Sequence, residues 1–228
     1  MKFLVTNDDG IDAPGLEALA TVAQGLGTTI WVAPHTHLSG CGHRVTTDQP
    51  IRLMRKDVGR WAIDGTPADC VRVALAKLAP EVDWVLSGMN HGGNLGTDVY
   101  HSGTVAAVRE AALHGKPGIA FSHYRKRGME IDWDRARAWM ARVLTQLVEE
   151  DHVPGAFWNV NLPHLNPGSP EPRIIHCKLD PRPLPLSFRD LEEAWHYDGD
   201  YHNRPRLAGS DVDVCFQGDI AVTRLILS

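Results

Sequence analysis

Apolar and polar positions along the first two thirds of the chain follow two alternating rhythms. Short apolar runs at 2–6 (KFLVT), 29–33 (TIWVA), 83–87 (DWVLS) and 118–122 (GIAFS) have the length and the β-branched or aromatic content of buried strands. Between them, apolar residues recur with helical spacing. The segment 14–26 puts Leu16, Leu19, Ala20 and Ala23 on one stripe behind a proline suited to a first turn. Segment 66–79 does likewise with Val71, Ala74, Leu75 and Leu78, and 102–115 ends on a glycine, a common helix terminator. A further helix is expected over 132–150 and a strand over 157–162 (FWNVNL). Strands alternating with amphipathic helices predict an α/β fold with a mainly parallel sheet covered by crossover helices.

Two stretches break the rhythm. Residues 43–54 and 60–64 read as a small β excursion. Residues 163–206 hold more than half of the fifteen prolines and little periodicity, which predicts an extended arm or loop segment, not a second core; such arms often serve self-association. The end (GSDVDVCFQGDIAVTRLIL) is expected to form a short helix from a Ser/Asp cap and a closing strand. Residues 1–228 therefore read as one domain, with its core in about 1–162 and 207–228.

Composition narrows the function classes. With 228 residues, 43% hydrophobic and 22% charged, the chain can bury one sizeable core. Its formal charge is -5 and its longest basic run is Arg125, Lys126, Arg127, which argues against a nucleic-acid polymer as partner but leaves room for a small anionic substrate. Cys41, Cys70, Cys177 and Cys215 stand far apart without a CxxC pair, so a reduced, cytoplasmic protein is the simplest reading. The apolar run in MKFLVTNDDG is too short for a signal-peptide core, and no later stretch approaches a membrane span; no membrane partner is expected.

Candidate chemistry gathers at the strand ends, where open parallel sheets bind ligands. After the first strand, Asp8 and Asp9 lie side by side among turn residues (NDDG), and two adjacent carboxylates call for a hard cation unless they simply build a tight turn. After the second strand, Ser39 sits before Gly40 and Gly42 and can offer a hydroxyl oxygen. His35, His37 and His43 follow no structural-zinc spacing and are expected to be solvent-facing. Segment 87–105 (SGMNHGGNLGTDVYHSGTV) carries five glycines and ends in Ser102, Gly103 and Thr104 at a helix start, a phosphate cradle of free N–H groups and hydroxyls. Asn90 and Asn94 add neutral amides. The Lys of a Walker loop is missing. In DGTPADCVRVAL, Thr66, Pro67 and Asp69 read as helix-capping residues.

These segments together resemble the SurE family, the survival-protein nucleotidases. The resemblance rests on VTNDDGIDAPG, on AP five residues ahead of SGCGH, on DGTPADCVRVAL and on DWVLSGMNHGGNLGTDVYHSGTVAAVREAALHGKPGIAFS, with weaker likeness at WNVNLP and GSDVDVCFQGDIAVTRL. It implies a Rossmann-like three-layer sandwich and a C-terminal arm exchanged between subunits of a homodimer or homotetramer. It also implies a metal-dependent phosphomonoesterase acting on nucleoside monophosphates (5′-, with 3′- as a further class) through metal-activated water. Asp8, Asp9, Ser39 and Asn90 would hold one divalent ion per subunit, Mg²⁺ or Mn²⁺, with Ca²⁺ also admitted. Asp8 and Asp9 would be catalytic, and Asn94, Ser102, Gly103 and Thr104 would bracket the phosphate. The chain departs from the pattern at His101, where the family usually has Tyr, at Cys41 between the loop glycines, and in the approach PHTHL before Ser39. The alternative reading is a non-catalytic nucleotide or sugar-phosphate binding module. The adjacent acids argue against it, because without metal they would repel a phosphate.

Overall fold

The computed structural model describes residues 1–227. Its strands are β1 (Lys2–Thr6), β2 (Thr28–Pro34), β3 (Leu53–Asp57), β4 (Arg60–Ile63), β5 (Trp84–Asn90), β6 (Gly118–His123), β7 (Ala156–Leu162), β8 (Ile174–His176), β9 (Phe188–Leu191), β10 (Ala194–Tyr197) and β11 (Ile220–Ile226). The helices are α1 (Pro14–Gln24), α2 (Pro67–Val73), α3 (Gly103–Leu113), α4 (Trp133–Leu147) and α5 (Asp211–Gln217). Nine strands form one sheet in the order β3-β4-β2-β1-β5-β6-β7-β11-β8, while β9 and β10 make a separate hairpin. From β4 through β7 every neighbouring pair is parallel. The β11–β7 pair is antiparallel. Helices α1 and α4 pack together, and so do α2 and α3. This is the expected three-layer α/β sandwich.

The crossover geometry explains the near-continuous apolar character of the central strands. β6 and β7 are buried along their whole length because helices cover both faces. On one side α1 buries Leu16, Leu19, Ala20 and Ala23 against Trp139, Met140 and Val143 of α4. Thr66 starts α2 with a full capping box: its hydroxyl accepts from Asp69 N, and the Asp69 carboxylate returns to Thr66 N.

Four differences from the sequence reading have physical causes. The helix expected over 66–79 is α-helical only to Val73 and widens into a π-turn over Ala74–Leu78. The helix expected to reach residue 150 stops at Leu147, where the apolar stripe ends. Residues 43–52 form no strand; only β3 and β4 do, and β4 pairs in parallel with β2, so the excursion extends the main sheet. The proline-rich stretch is not wholly an arm, since β8 pairs with β11 in the main sheet. Its middle does project, and Leu186, Phe188, Leu191 and Trp195 around the hairpin are exposed.

Candidate active site

Parallel strand order brings the ends of β1 and β5 together, and with them the two most distinctive sequence segments. Asn7 shapes the first turn: its amide donates to Gly10 O, and its carbonyl oxygen accepts from Gly10 N. That turn aims Asp8 inward and Asp9 outward. Asp8 is buried, and its Oδ1 accepts from the Thr104 hydroxyl at 2.6 Å. Burial pushes its carboxyl up to about 6 from the ordinary 3.8; the Thr104 hydrogen bond opposes this and the neighbouring Asp9 charge adds to it. Asp9 is partly exposed, 3.2 Å from His37 Nδ1, and accepts a long 3.4 Å bond from His91 N.

The start of α3 meets Asp8 because residue 103 lacks a side chain. A Cβ on Gly103 would lie 2.9 Å from Asp8 Cβ, 3.0 Å from Asp8 Oδ2 and 3.0 Å from Cys41 Sγ. Ser102 caps the helix by accepting from Val105 N, which leaves its own O–H free to donate. The Gly103 and Thr104 N–H groups stand in the first turn, where no intrahelical partner exists. Asp8, Gly103 and Thr104 are therefore one contiguous group.

The remaining candidates are held in the same region by other means. Asn90 closes β5, and its amide nitrogen is taken by Gly92 O at 2.8 Å, so its oxygen is the atom on offer. Ser39 is exposed, and its loop is fastened at two neighbours: Leu38 N donates to Asp8 O, and Gly42 N to His101 O. Asn94 is buried, with its amide nitrogen donating to Ser122 Oγ at 2.7 Å. Among the described residues no group of three His, Cys, Asp or Glu side chains is gathered for a metal. The candidate residues themselves offer two carboxylates, an amide oxygen and a hydroxyl, all hard donor types.

Three supporting groups escaped the sequence reading. Asn159 and Asn161 on β7 both donate to Asn94 O, and Asn161 accepts from Asn94 N, so a buried amide cluster fixes the glycine loop from below. Asp98 in that loop accepts from Tyr201 OH and pairs with the buried Arg204, both contributed by the proline-rich stretch. His43, expected to face solvent, is half-buried and binds Glu110 of α3 at 2.7 Å. The repeated Asn of WNVNL was a readable signal; Arg204 and Tyr201 carried none.

Residues 3–179 match the family model described as survival protein SurE. The chain belongs to the SurE family. A relative from Nostoc sp., provisionally named a 5′-nucleotidase, is 52% identical over 99% of each chain. One from Paramagnetospirillum magneticum named 5′-nucleotidase SurE is 34% identical, over 99% of this chain and 89% of its own length. The solved structure of the SurE protein from Aquifex aeolicus superposes with a TM-score of 0.88 at 30% identity, covering 100% of this chain and 94% of that one. In this SurE chain all four cysteines are free, and no helix among the described residues is long and apolar enough to cross a membrane.

Proposed function

We propose that this SurE-family 5′-nucleotidase hydrolyses nucleoside monophosphates, 3′- as well as 5′-, in a reaction that depends on one divalent cation, Mg²⁺ or Mn²⁺. Asp8, Asp9, Asn90 and Ser39 would hold the cation. The observation that carries the reading is the close approach of the α3 start to Asp8, which only a glycine at 103 permits. It sets N–H and O–H donors against a buried carboxylate that burial and a second carboxylate disfavour as an anion. When bound, a divalent cation acidifies water and polarises a phosphoryl oxygen.

The chain's own groups divide the work that phosphate-ester hydrolysis requires. Ser102 Oγ, the Gly103 and Thr104 N–H groups and the second N–H of Asn94 grip the phosphate. Asp8 is the rigid anchor, oriented by the Thr104 hydroxyl. Asp9, the more accessible carboxylate, steers and deprotonates the attacking water. The exposed apolar residues around the β9–β10 hairpin support association into a dimer or tetramer through the 163–206 arm, and the free cysteines fit a cytoplasmic setting.

Phosphate release from 5′-AMP, 5′-GMP and 3′-AMP, with Mg²⁺, with Mn²⁺ and with EDTA, tests this. Turnover is expected with either metal and none in EDTA. Release that persists undiminished in EDTA would overturn the metal requirement.

A further inference from the structure

A cleft of about 600 Å³, within the roughly 300 to 1,000 Å³ range of small-molecule sites, opens between α2, the π-turn that follows it and the far end of α3. Two of its lining residues, Pro80 and Lys116, lie just ahead of β5 and β6, whereas Asp8 and the α3 start lie beyond the strand ends. Helix α3, 11 residues and roughly 16 Å long, separates the two places. The floor is apolar and half-buried, formed by Ile51, Val73 and Leu75. Arg72, Lys77 and Lys116 line it as well, and among the described residues no acidic side chain does.

The shape of the cleft departs from what the local sequence favours. VRVALAKLA is rich in strong α-formers, yet Ala79 N donates to Ala74 O at 2.8 Å, the i→i+5 bond of a π-turn. Such turns are frequent at functional sites. This one spreads Leu75, Ala76 and Lys77 along the cleft. The other walls are fixed. Thr46 donates to the Asp69 carboxylate from its N at 2.9 Å and its hydroxyl at 2.7 Å. Lys116 donates one ammonium N–H to Val82 O at 2.8 Å and keeps two. Arg72 is backed by the buried Asp69 and Glu110 at 3.8 and 3.6 Å, beyond hydrogen-bond reach, so its planar fork of N–H groups is positioned but uncommitted.

We propose that this cleft binds a small amphipathic anion, an apolar body carrying one carboxylate, at a site separate from the catalytic one. The body covers the half-buried floor and takes its apolar surface out of water. The carboxylate meets Arg72, whose fork matches it in two parallel charge-assisted bonds. Lys77 and Lys116 add positive charge around it. The two acids behind Arg72 are already served by other donors: Asp69 by Thr46 and by Thr66 N, Glu110 by His43 and His114. They hold the guanidinium in place and leave its outer N–H groups for a ligand.

Equilibrium dialysis with 2-naphthoate tests this, with 2-naphthylmethylammonium as the same body under the opposite charge and acetate as the head alone. The unaltered protein is expected to bind 2-naphthoate at least about tenfold more tightly than the cation, and acetate in about tenfold excess should not displace it. Lys77→Glu, at an exposed position that folding does not depend on, should weaken 2-naphthoate binding about tenfold, because it replaces an attraction with a repulsion. Ala76→Trp, which fills the cleft, should abolish binding. Trp195→Ser, which trims the exposed apolar hairpin elsewhere, should leave it unchanged. An affinity that neither Lys77→Glu nor Ala76→Trp alters, or that Trp195→Ser removes, overturns the site. Equal affinity for the cation, or displacement by acetate, overturns the ligand class. Failure to bind 2-naphthoate, with retention on phosphatidylglycerol vesicles that Lys77→Glu abolishes, makes the patch a membrane contact and overturns the proposal.

Discussion

Asp8 and Asp9 are neighbours in the chain whose surroundings have little in common. On the Asp8 side there is little space: Gly103 and Thr104 stand against the buried carboxylate, and a Cβ on Gly103 would also meet Cys41 Sγ. On the Asp9 side, the contacts are an exposed histidine, a long backbone bond and an open cleft. The difference teaches how a single turn can supply both an anchor that cannot move and a carboxylate that remains reachable. Burial raises the proton affinity of the first, and exposure leaves the second free to meet substrate and solvent.

The comparison breaks most visibly at Asp8 itself. Asp8→Asn is expected to lower kcat/KM for 5′-AMP at least about a thousandfold, roughly 4 kcal/mol of transition-state stabilisation. Near-normal turnover at saturating Mn²⁺ would remove Asp8 from the site.

Crowding predicts the next effect. Gly103→Ala must push α3 away from Asp8, and a displacement approaching 1 Å costs on the order of a hundredfold in rate. An alanine variant with unimpaired kcat/KM would show that the close approach is dispensable.

The same crowding has a cost in stability. The Asp8 carboxyl is raised to about 6 from 3.8, so the folded chain binds its proton more tightly than the unfolded chain does. The stability this group contributes is full below about pH 4 and is lost as pH rises through about 6. The gap corresponds to roughly 3 kcal/mol. Asp8→Asn removes it, so in EDTA the variant should become progressively more stable than the unaltered protein between pH 4.5 and 7.5. Denaturant unfolding at the two pH values measures this, and a difference that does not grow with pH would contradict the assigned burial of charge.

The smallest effect belongs to the open side. His37 is mostly exposed, so its contact with Asp9 is worth little, and His37→Ala should change kcat/KM by no more than about threefold. A loss near that of Gly103→Ala would show that the two sides are not so different after all.

Much of this candidate site could be read before folding, because each of its motifs is local in sequence. NDDG and SGT each announce a turn and a helix start, and Thr66 with Asp69 announces a cap, since capping is local physics confined to one helical turn. Strands β1, β5 and β6 were legible because burial on both faces demands continuous apolar runs. The edge was harder. Residues 43–52 alternate enough to suggest a strand but find no partner there, and β-structure exists only where a neighbour supplies the ladder.

What the sequence determined by itself is the inventory: an α/β order of elements, a carboxylate pair after the first strand and a glycine-rich cradle before α3. Only the tertiary structure decided which members touch. Parallel pairing of β1 with β5 brings Thr104 to Asp8 across 96 residues of chain and aligns β7 so that Asn159 and Asn161 support Asn94. The return of the proline-rich stretch buries Arg204 against Asp98, and Glu110 draws in a histidine that spacing alone left in solvent. These contacts depend on register and packing between distant segments. Hydrogen bonds to buried charges form only when the fold has already removed the water that would otherwise satisfy them.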